Sequence, residues 1–335
     1  MRLCVTGGAG FIGSNFVRHW AAAHPDDGVV VYDLLTYAGN RENLAGVAGD
    51  VIFVQGDIGN LDLATATLAD YGIDVVVNFA AESHNSYAVL DPGLFFRTNA
   101  LGTQTLLEAS RRAGVGRFHH ISTCEVYGDL DLDAGAAFTE ESPYRPRTPY
   151  NASKAAADHA VRAYHETYGL PVTITNCANN YGPYQFPEKV LPLFVTNALD
   201  DLALPLYEST QNRREWIHVA DHCAAIEQVI IAGVVGATYH VGTGVERSIE
   251  QIADLVLEAL GKPASLKTIV PDRPGHDRRY VLDWSKIARD LGWEPAVGFD
   301  EGLAATVEWY AANRAWWEPL RSRRPVVEET AWSVR

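Results

Sequence analysis

A doubly wound α/β fold, a parallel sheet with helices on both faces, is predicted by three features of the sequence. Short apolar runs alternate with amphipathic helical segments through the first half of the chain. A glycine-rich turn joins the first run to the first helix. The second run ends on Asp33, about twenty residues beyond the last of those glycines. In chain order, "RLCVTG" reads as a strand buried on both faces and "GSNFVRHWAAAH" as the helix after it. "VVVYD" and "VIFVQGD" supply two more strands before the helix "NLDLATATLADYG". The strand "VVVNFAA", the helix "NALGTQTLLEASRRAG" and the strand "RFHHIST" follow. "SKAAADHAVRAYHETYG" and "PVTITNCAN" complete the alternation, three of these helices closing on a glycine. Such alternation implies right-handed crossovers and one parallel sheet.

After about residue 182 the pattern changes to the proline- and aromatic-rich "YGPYQFPEKVLPLF" and then to mixed helices and short strands. Residues 1–182 are expected to form mainly a Rossmann-type dinucleotide-binding domain. Residues 183–330 are expected to form mainly a smaller substrate-binding lobe, with some elements returning to the core. "QIADLVLEALG" and "GLAATVEWYAANRAWW" read as amphipathic helices there, and "VVEETAWSVR" as a tail.

The chain has 335 residues and a formal net charge of −15, which argues against a nucleic-acid surface. No apolar run reaches the roughly eighteen residues that a membrane helix needs. The first strand starts at once, leaving no room for a signal peptide. The four cysteines lack metal-ligand spacing, so no metal is expected, and a cytoplasmic enzyme is the simplest expectation.

"VTGGAGFIG" sets Gly7, Gly10 and Gly13 between strand and helix, with Phe11 and Ile12 in the same turn. Glycines let the backbone approach a pyrophosphate, which a helix N-terminus then stabilises. Asp33 can bind the ribose hydroxyls of NAD and repels the extra phosphate of NADP. "QGDI" offers Asp57 and Ile58, and "NFAA" offers Ala80, as further NAD contacts.

Tyr150 and Lys154 in "PYNASK" lie four residues apart and share one helix face. A neighbouring ammonium and a nicotinamide cation both favour the phenolate, which can then accept a hydroxyl proton. Thr123, at the end of "HIST", can hold the same oxygen.

With these residues the chain resembles the extended short-chain dehydrogenase/reductases, and among them the dTDP-glucose 4,6-dehydratases. "TGGAGFIGSNFV", "NFAAESH", "STCEVYGDL", "PYNASKAAADHAVRAYHETYGLP", "TNCANNYGPYQFPEKVLPL" and "RPGHDRRYVLD" carry the resemblance over nearly the whole chain. It implies Tyr150 and Lys154 as the oxidation pair, Thr123 as a contact to the sugar 4-hydroxyl and Glu125 as the C5 base. It also implies Asn179, Lys189, Arg214 and Arg273 as nucleotide contacts. A homodimer is implied, packed through helices near 100–113 and 150–168.

Three segments depart from that pattern. Cys124 stands where the family has an aspartic acid, the proton donor to the departing hydroxyl. A thiol, with an ordinary pKa of about 8.5, is a weaker acid and is often simply buried. Asn85, Ser86, Tyr87 and Ala88 replace Val-Asp-Arg-Ser, which with His84 puts Asn85 and Tyr87 among the expected substrate contacts. Glu208, Ser209 and Thr210 replace a Gly-Asp-Gly turn, while Arg214, Arg273 and His276 keep a diphosphate sugar in play. "STCEVYG" is also similar to the segment in the tunicamycin-pathway UDP-GlcNAc 5,6-dehydratase. The expected activity is therefore an NAD-dependent sugar dehydratase that oxidises C4, deprotonates C5 and expels the 6-hydroxyl. The similarity suggests an exocyclic 5,6-alkene on a nucleotide-activated hexose or a hexose nucleoside. The alternatives are the ordinary 4-keto-6-deoxy product, a uronate decarboxylase and an NAD-binding regulator.

Overall fold

The computed structural model describes residues 1–133 and 135–323; the expected tail "VVEETAWSVR" lies outside the described residues. The first half runs β1 (Arg2–Thr6), α1 (Phe11–Ala23), β2 (Gly28–Asp33), β3 (Asp50–Gln55), α2 (Leu61–Asp70) and β4 (Val75–Asn78). The short helices α3 (Asn85–Leu90) and α4 (Pro92–Phe95) precede a π-helical stretch, Phe96–Gly102, and α5 (Thr103–Ala113). Then come β5 (Arg117–Thr123), α6 (Pro149–Tyr168) and β6 (Val172–Cys177).

The second half contains β7 (Asn179–Tyr181), α7 (Val190–Leu199), β8 (Leu204–Tyr207), β9 (Arg213–His218), α8 (Val219–Ala232) and β10 (Thr238–Val241). It closes with β11 (Glu246–Ser248), α9 (Ile249–Ala259), β12 (Lys267–Val270), β13 (Arg279–Tyr280), α10 (Ser285–Leu291), α11 (Phe299–Ala312) and α12 (Arg314–Arg321).

Seven parallel strands form the main sheet in the order β10-β6-β5-β4-β1-β2-β3. Both faces are covered, which is why its strands read as continuous apolar runs. Successive side chains alternate between faces. Cys4, Val30, Val76 and Phe118 pack towards Leu68, Leu106, Leu107 and Val161, while Leu3, Val5, Val31 and Val77 pack towards Phe16, Val17, Trp20 and Ile226. Helix α8 and β10 thus return from the second half to complete the first-half core. The winding reverses between β1 and β4, and the carboxyl ends of these strands open the crevice where doubly wound folds bind ligands.

A second apolar cluster gathers elements of the second half around α7, α9 and α11. Phe194, Leu206, Trp216, Val256, Tyr310 and Trp317 form its apolar centre. Glu215 on β9, fully buried, accepts backbone hydrogen bonds from Thr243 (2.6 Å), Gly244 (2.7 Å) and Leu282 (2.8 Å). Its carboxyl, pushed up to about 7 by burial, ties three segments of the second half together. No described helix is long and apolar enough to cross a membrane.

Candidate active site

The chain leaves β1 through Gly7, whose φ of +66° suits glycine and whose added Cβ would meet the Ala80 backbone nitrogen at 2.7 Å. Gly13 sits in the first turn of α1, where a Cβ would fall 2.4 Å from the Gly7 carbonyl oxygen. Gly10 caps α1 with no side chain, leaving the first-turn N–H groups facing outwards for an anion. Asp33, at the end of β2, accepts from the Ala9 N–H (2.9 Å) and the Leu35 N–H (2.8 Å), so its carboxylate is fixed at the lip of the crevice. Gly7, Gly10, Phe11, Ile12, Gly13, Asp33, Asp57, Ile58 and Ala80 all line one cavity of about 680 Å³. This cradle, closed to any Cβ and rimmed by an acid, fits the pyrophosphate and ribose of NAD.

Gly13→Ala places a methyl group against the Gly7 carbonyl. Overpacking of that kind costs about 1–3 kcal/mol, so NAD affinity is expected to fall roughly tenfold to a hundredfold, read by calorimetric titration of NAD.

The same cavity is lined by Thr123, Glu125, Tyr150 and Lys154. Thr148 caps α6 by accepting from the Asn151 N–H (3.2 Å), and Pro149 opens its first turn. That cap places Tyr150 in the first turn and Lys154 one turn on. Lys154 is buried; its Nζ donates to the Ile121 carbonyl (2.7 Å) and lies 3.3 Å from His120 Nε2. Burial pulls its pKa down to about 8. Burial and then the Glu125 charge push the Tyr150 phenol well up, while its hydrogen bond with Thr123 acts the other way. Thr123 also caps the 3-10 turn Cys124–Tyr127, its hydroxyl accepting from the Glu125 N–H (3.2 Å). Glu125 Oε2 accepts from Asn85 Nδ2 at 2.9 Å.

Cys124 is oriented differently. It is 2% exposed, packs with Val126, Tyr127, Ala155, Tyr280 and Leu282, and is absent from the described cavity wall. Burial, then Glu125, hold its thiol well above the ordinary range.

Of the expected substrate contacts, Asn179 and Lys189 line the cavity and the other six stand off its wall. Asn179 Oδ1 accepts from the Tyr280 hydroxyl (3.1 Å), and its Nδ2 is without a partner among the described residues. Lys189 Nζ donates to the Ser83 carbonyl at 2.6 Å. Arg214 donates to the Asp277 and Arg213 carbonyls, both at 2.7 Å, and lies over the Tyr280 ring. His84 stacks on Tyr87, with ring centroids 4.1 Å apart. Arg273, Arg214 and Arg147 all act on His276, which burial and these cations hold down to about 2.

Three features went unread in the sequence. Glu82 and Glu188 are buried carboxyls on the cavity wall, Glu188 accepting from the Tyr37 hydroxyl at 2.8 Å. Each lies inside a quoted motif, "AAESH" or "FPEKV", beside residues that drew the attention instead. His120, one of a histidine pair on β5, sits between Lys154, Asn78 (3.2 Å) and Asp158 (3.5 Å).

A glycine-cradled dinucleotide crevice that runs into a Tyr-x-x-x-Lys helix defines an NAD-dependent enzyme of the extended short-chain dehydrogenase/reductase type. Comparison with known proteins narrows this. The chain belongs to the GDP-mannose 4,6 dehydratase family, whose model matches residues 4–306. It is 50% identical over 328 residues to a dTDP-glucose 4,6-dehydratase of Streptomyces niveus, covering 96% of both chains. The corresponding protein of Mycobacterium tuberculosis is 48% identical over 322 residues, again covering 96% of each. Among solved structures, the dTDP-glucose 4,6-dehydratase of Streptomyces venezuelae, crystallised with NAD, superposes with a TM-score of 0.92 at 52% identity. It is matched over 96% of this chain and 100% of that one. The UDP-glucose 4-epimerase of Thermus thermophilus, with NAD, gives 0.86 at 33% identity, covering 93% and 100%. The chain is an NAD-dependent dehydratase of nucleotide sugars.

Proposed function

We propose that the protein converts a dTDP-linked hexose to its 4-keto-6-deoxy derivative. The observation that carries this reading is that Tyr150, Thr123 and Glu125 line the cavity formed by the glycine loop. Bound NAD supplies the acceptor and later the donor of hydride, and a positive charge beside the phenol. Thr123 and Tyr150 hold the sugar 4-hydroxyl, and Tyr150 takes its proton with Lys154 behind it. The resulting ketone acidifies C5–H, and Glu125 removes that proton. Glu125, now a carboxylic acid, is the group that hands a proton to the departing 6-hydroxyl. Lys189 and the Asn179 amide, both on the cavity wall, supply charge and a donor for the diphosphate. A homodimer through the helices near 100–113 and 150–168, as the resemblance implies, would bury exposed Leu101 and Tyr168.

In this reading Cys124 is a packing residue. Cys124→Ala is expected to keep turnover of dTDP-glucose within about threefold, whereas loss of a true general acid costs roughly a hundredfold or more. A steady-state assay that found the larger loss would return the thiol to the donor role.

A second reading, the exocyclic 5,6-alkene, is favoured by the Thr-Cys-Glu segment alone. Turnover of dTDP-glucose in D2O followed by NMR separates the two. A product methyl signal supports the 4-keto-6-deoxy sugar; olefinic CH2 signals overturn it in favour of the alkene. Release of carbon dioxide from a uronate, or no turnover of any nucleotide hexose, would sink both.

A further inference from the structure

Glu125 is linked by hydrogen bonds to the helix that carries Tyr150 and Lys154. Asn85, the first residue of α3, donates from Nδ2 to Glu125 Oε2 at 2.9 Å. Its Oδ1 accepts from the Thr148 hydroxyl at 2.8 Å. Thr148 in turn accepts from the Asn151 N–H at the start of α6. The chain of bonds has one sense only. The carboxylate can only accept, so the Asn85 amide turns its N–H towards Glu125 and its oxygen towards Thr148, whose hydroxyl then donates. A flipped amide would set its oxygen against the carboxylate, two acceptors facing each other. Thr148 is 4% exposed, so water does not readily replace this link.

We propose that Asn85 is a positioning residue that holds Glu125 oriented, leaving Oε1 to take the C5 hydrogen; this rests on Glu125 being the C5 base. In that step the C5–H bond breaks and its electron pair passes into the enolate of the C4 ketone. The proton goes to Glu125. The amide hydrogen bond fixes the rotamer of the carboxylate and turns its free oxygen towards the cavity. The helix cap makes the same bond network fix the oxidation pair and the base relative to one another. Asn85 therefore acts through Glu125, not by touching the sugar.

Other groups with an electrostatic effect at this carboxylate are Tyr150, Cys124, Cys177, Lys189, Asp277 and Tyr280. Asp277, pushed up to about 6, adds its own titration to any pH profile of the wild type. All six are unchanged in a variant at position 85, so a change in C5 exchange between wild type and variant reports the amide.

The test uses the holoenzyme and dTDP-glucose in D2O, by rapid quench and mass spectrometry for deuterium at C5. Near-ultraviolet absorbance follows reduced nicotinamide in parallel. Asn85→Leu removes the donor, and deuterium incorporation at neutral pH is expected to fall about tenfold. Asn85→Asp keeps the shape but sets a second carboxylate against Glu125, and is expected to fall roughly a hundredfold. In both variants formation of reduced nicotinamide should change far less. A residue that only shaped the wall would give the opposite ranking, with Leu worse than Asp. That ranking, or equal loss of both steps, overturns the proposal. Glu125→Gln is the control: if it still incorporates deuterium at C5, the base reading itself fails, independently of Asn85.

Discussion

Tyr150→Phe is expected to slow oxidation at C4 by roughly a hundredfold to ten-thousandfold, the range over which a positioned acid–base group contributes. The variant should fold and bind NAD normally. The ring packs edge-on against Phe95, with centroids 6.3 Å apart, and beside Ala88, and phenylalanine keeps those contacts. Only the phenolic oxygen is lost, and with it the acceptor of the 4-hydroxyl proton. The direction of the pH dependence follows from the site. Burial and the Glu125 charge hold the phenol protonated, so oxidation accelerates as pH rises. The gain levels off near pH 8, where Lys154, titrating at about 8, loses the charge that supports the phenolate. Phenylalanine has no proton to lose, so the variant's residual rate should lack the rising limb. The measurement is stopped-flow absorbance of reduced nicotinamide on mixing with dTDP-glucose. A wild-type rate in Tyr150→Phe would remove the phenol from the mechanism.

The sheet was legible because a parallel sheet covered on both faces leaves uninterrupted apolar runs such as "VVVYD" and "RFHHIST". The glycine loop was legible because steric exclusion there is local: Gly7 and Gly13 answer to each other's backbone and to Ala80. What the sequence concealed depends on direction and on distant neighbours. Cys124 and Glu125 are adjacent, but in the four-residue 3-10 turn Cys124–Tyr127 their side chains diverge. One enters an apolar cluster and the other the cavity. Arg214 reads as a phosphate ligand until the carbonyls of Arg213 and Asp277 are seen to meet it. His120 is one of a histidine pair in a strand, and only the crossover of α6 brings Lys154 and Asp158 to it. The short helix α3, which brings Asn85 to Glu125, is too brief to show a period.

Glu125→Gln is the companion experiment, and its expected result is a separation of the two half-reactions. Glutamine keeps the size of the side chain and an oxygen that can accept from Asn85 Nδ2, so the connection to Thr148 and α6 persists. Tyr150, Lys154 and the glycine cradle are untouched, and oxidation at C4 should proceed. An amide has no basicity near neutral pH, so removal of the C5 proton should slow by roughly a hundredfold to ten-thousandfold. Reduced nicotinamide is then expected to accumulate and persist, while product methyl signals and C5 deuterium stay absent. This pattern is the reverse of Tyr150→Phe, in which neither reduced nicotinamide nor product forms at speed. Two variants that fail at different steps, within one cavity and with NAD still bound, distinguish a broken step from a broken fold. If Glu125→Gln instead incorporates C5 deuterium at the wild-type rate, the base lies elsewhere on the wall. Besides Asp33 at the ribose end, the buried carboxyls there are Glu82 and Glu188. Burial, then Glu188, raise the Glu82 pKa, so a C5 base at Glu82 would show an acidic limb displaced upwards from that of an ordinary carboxylate.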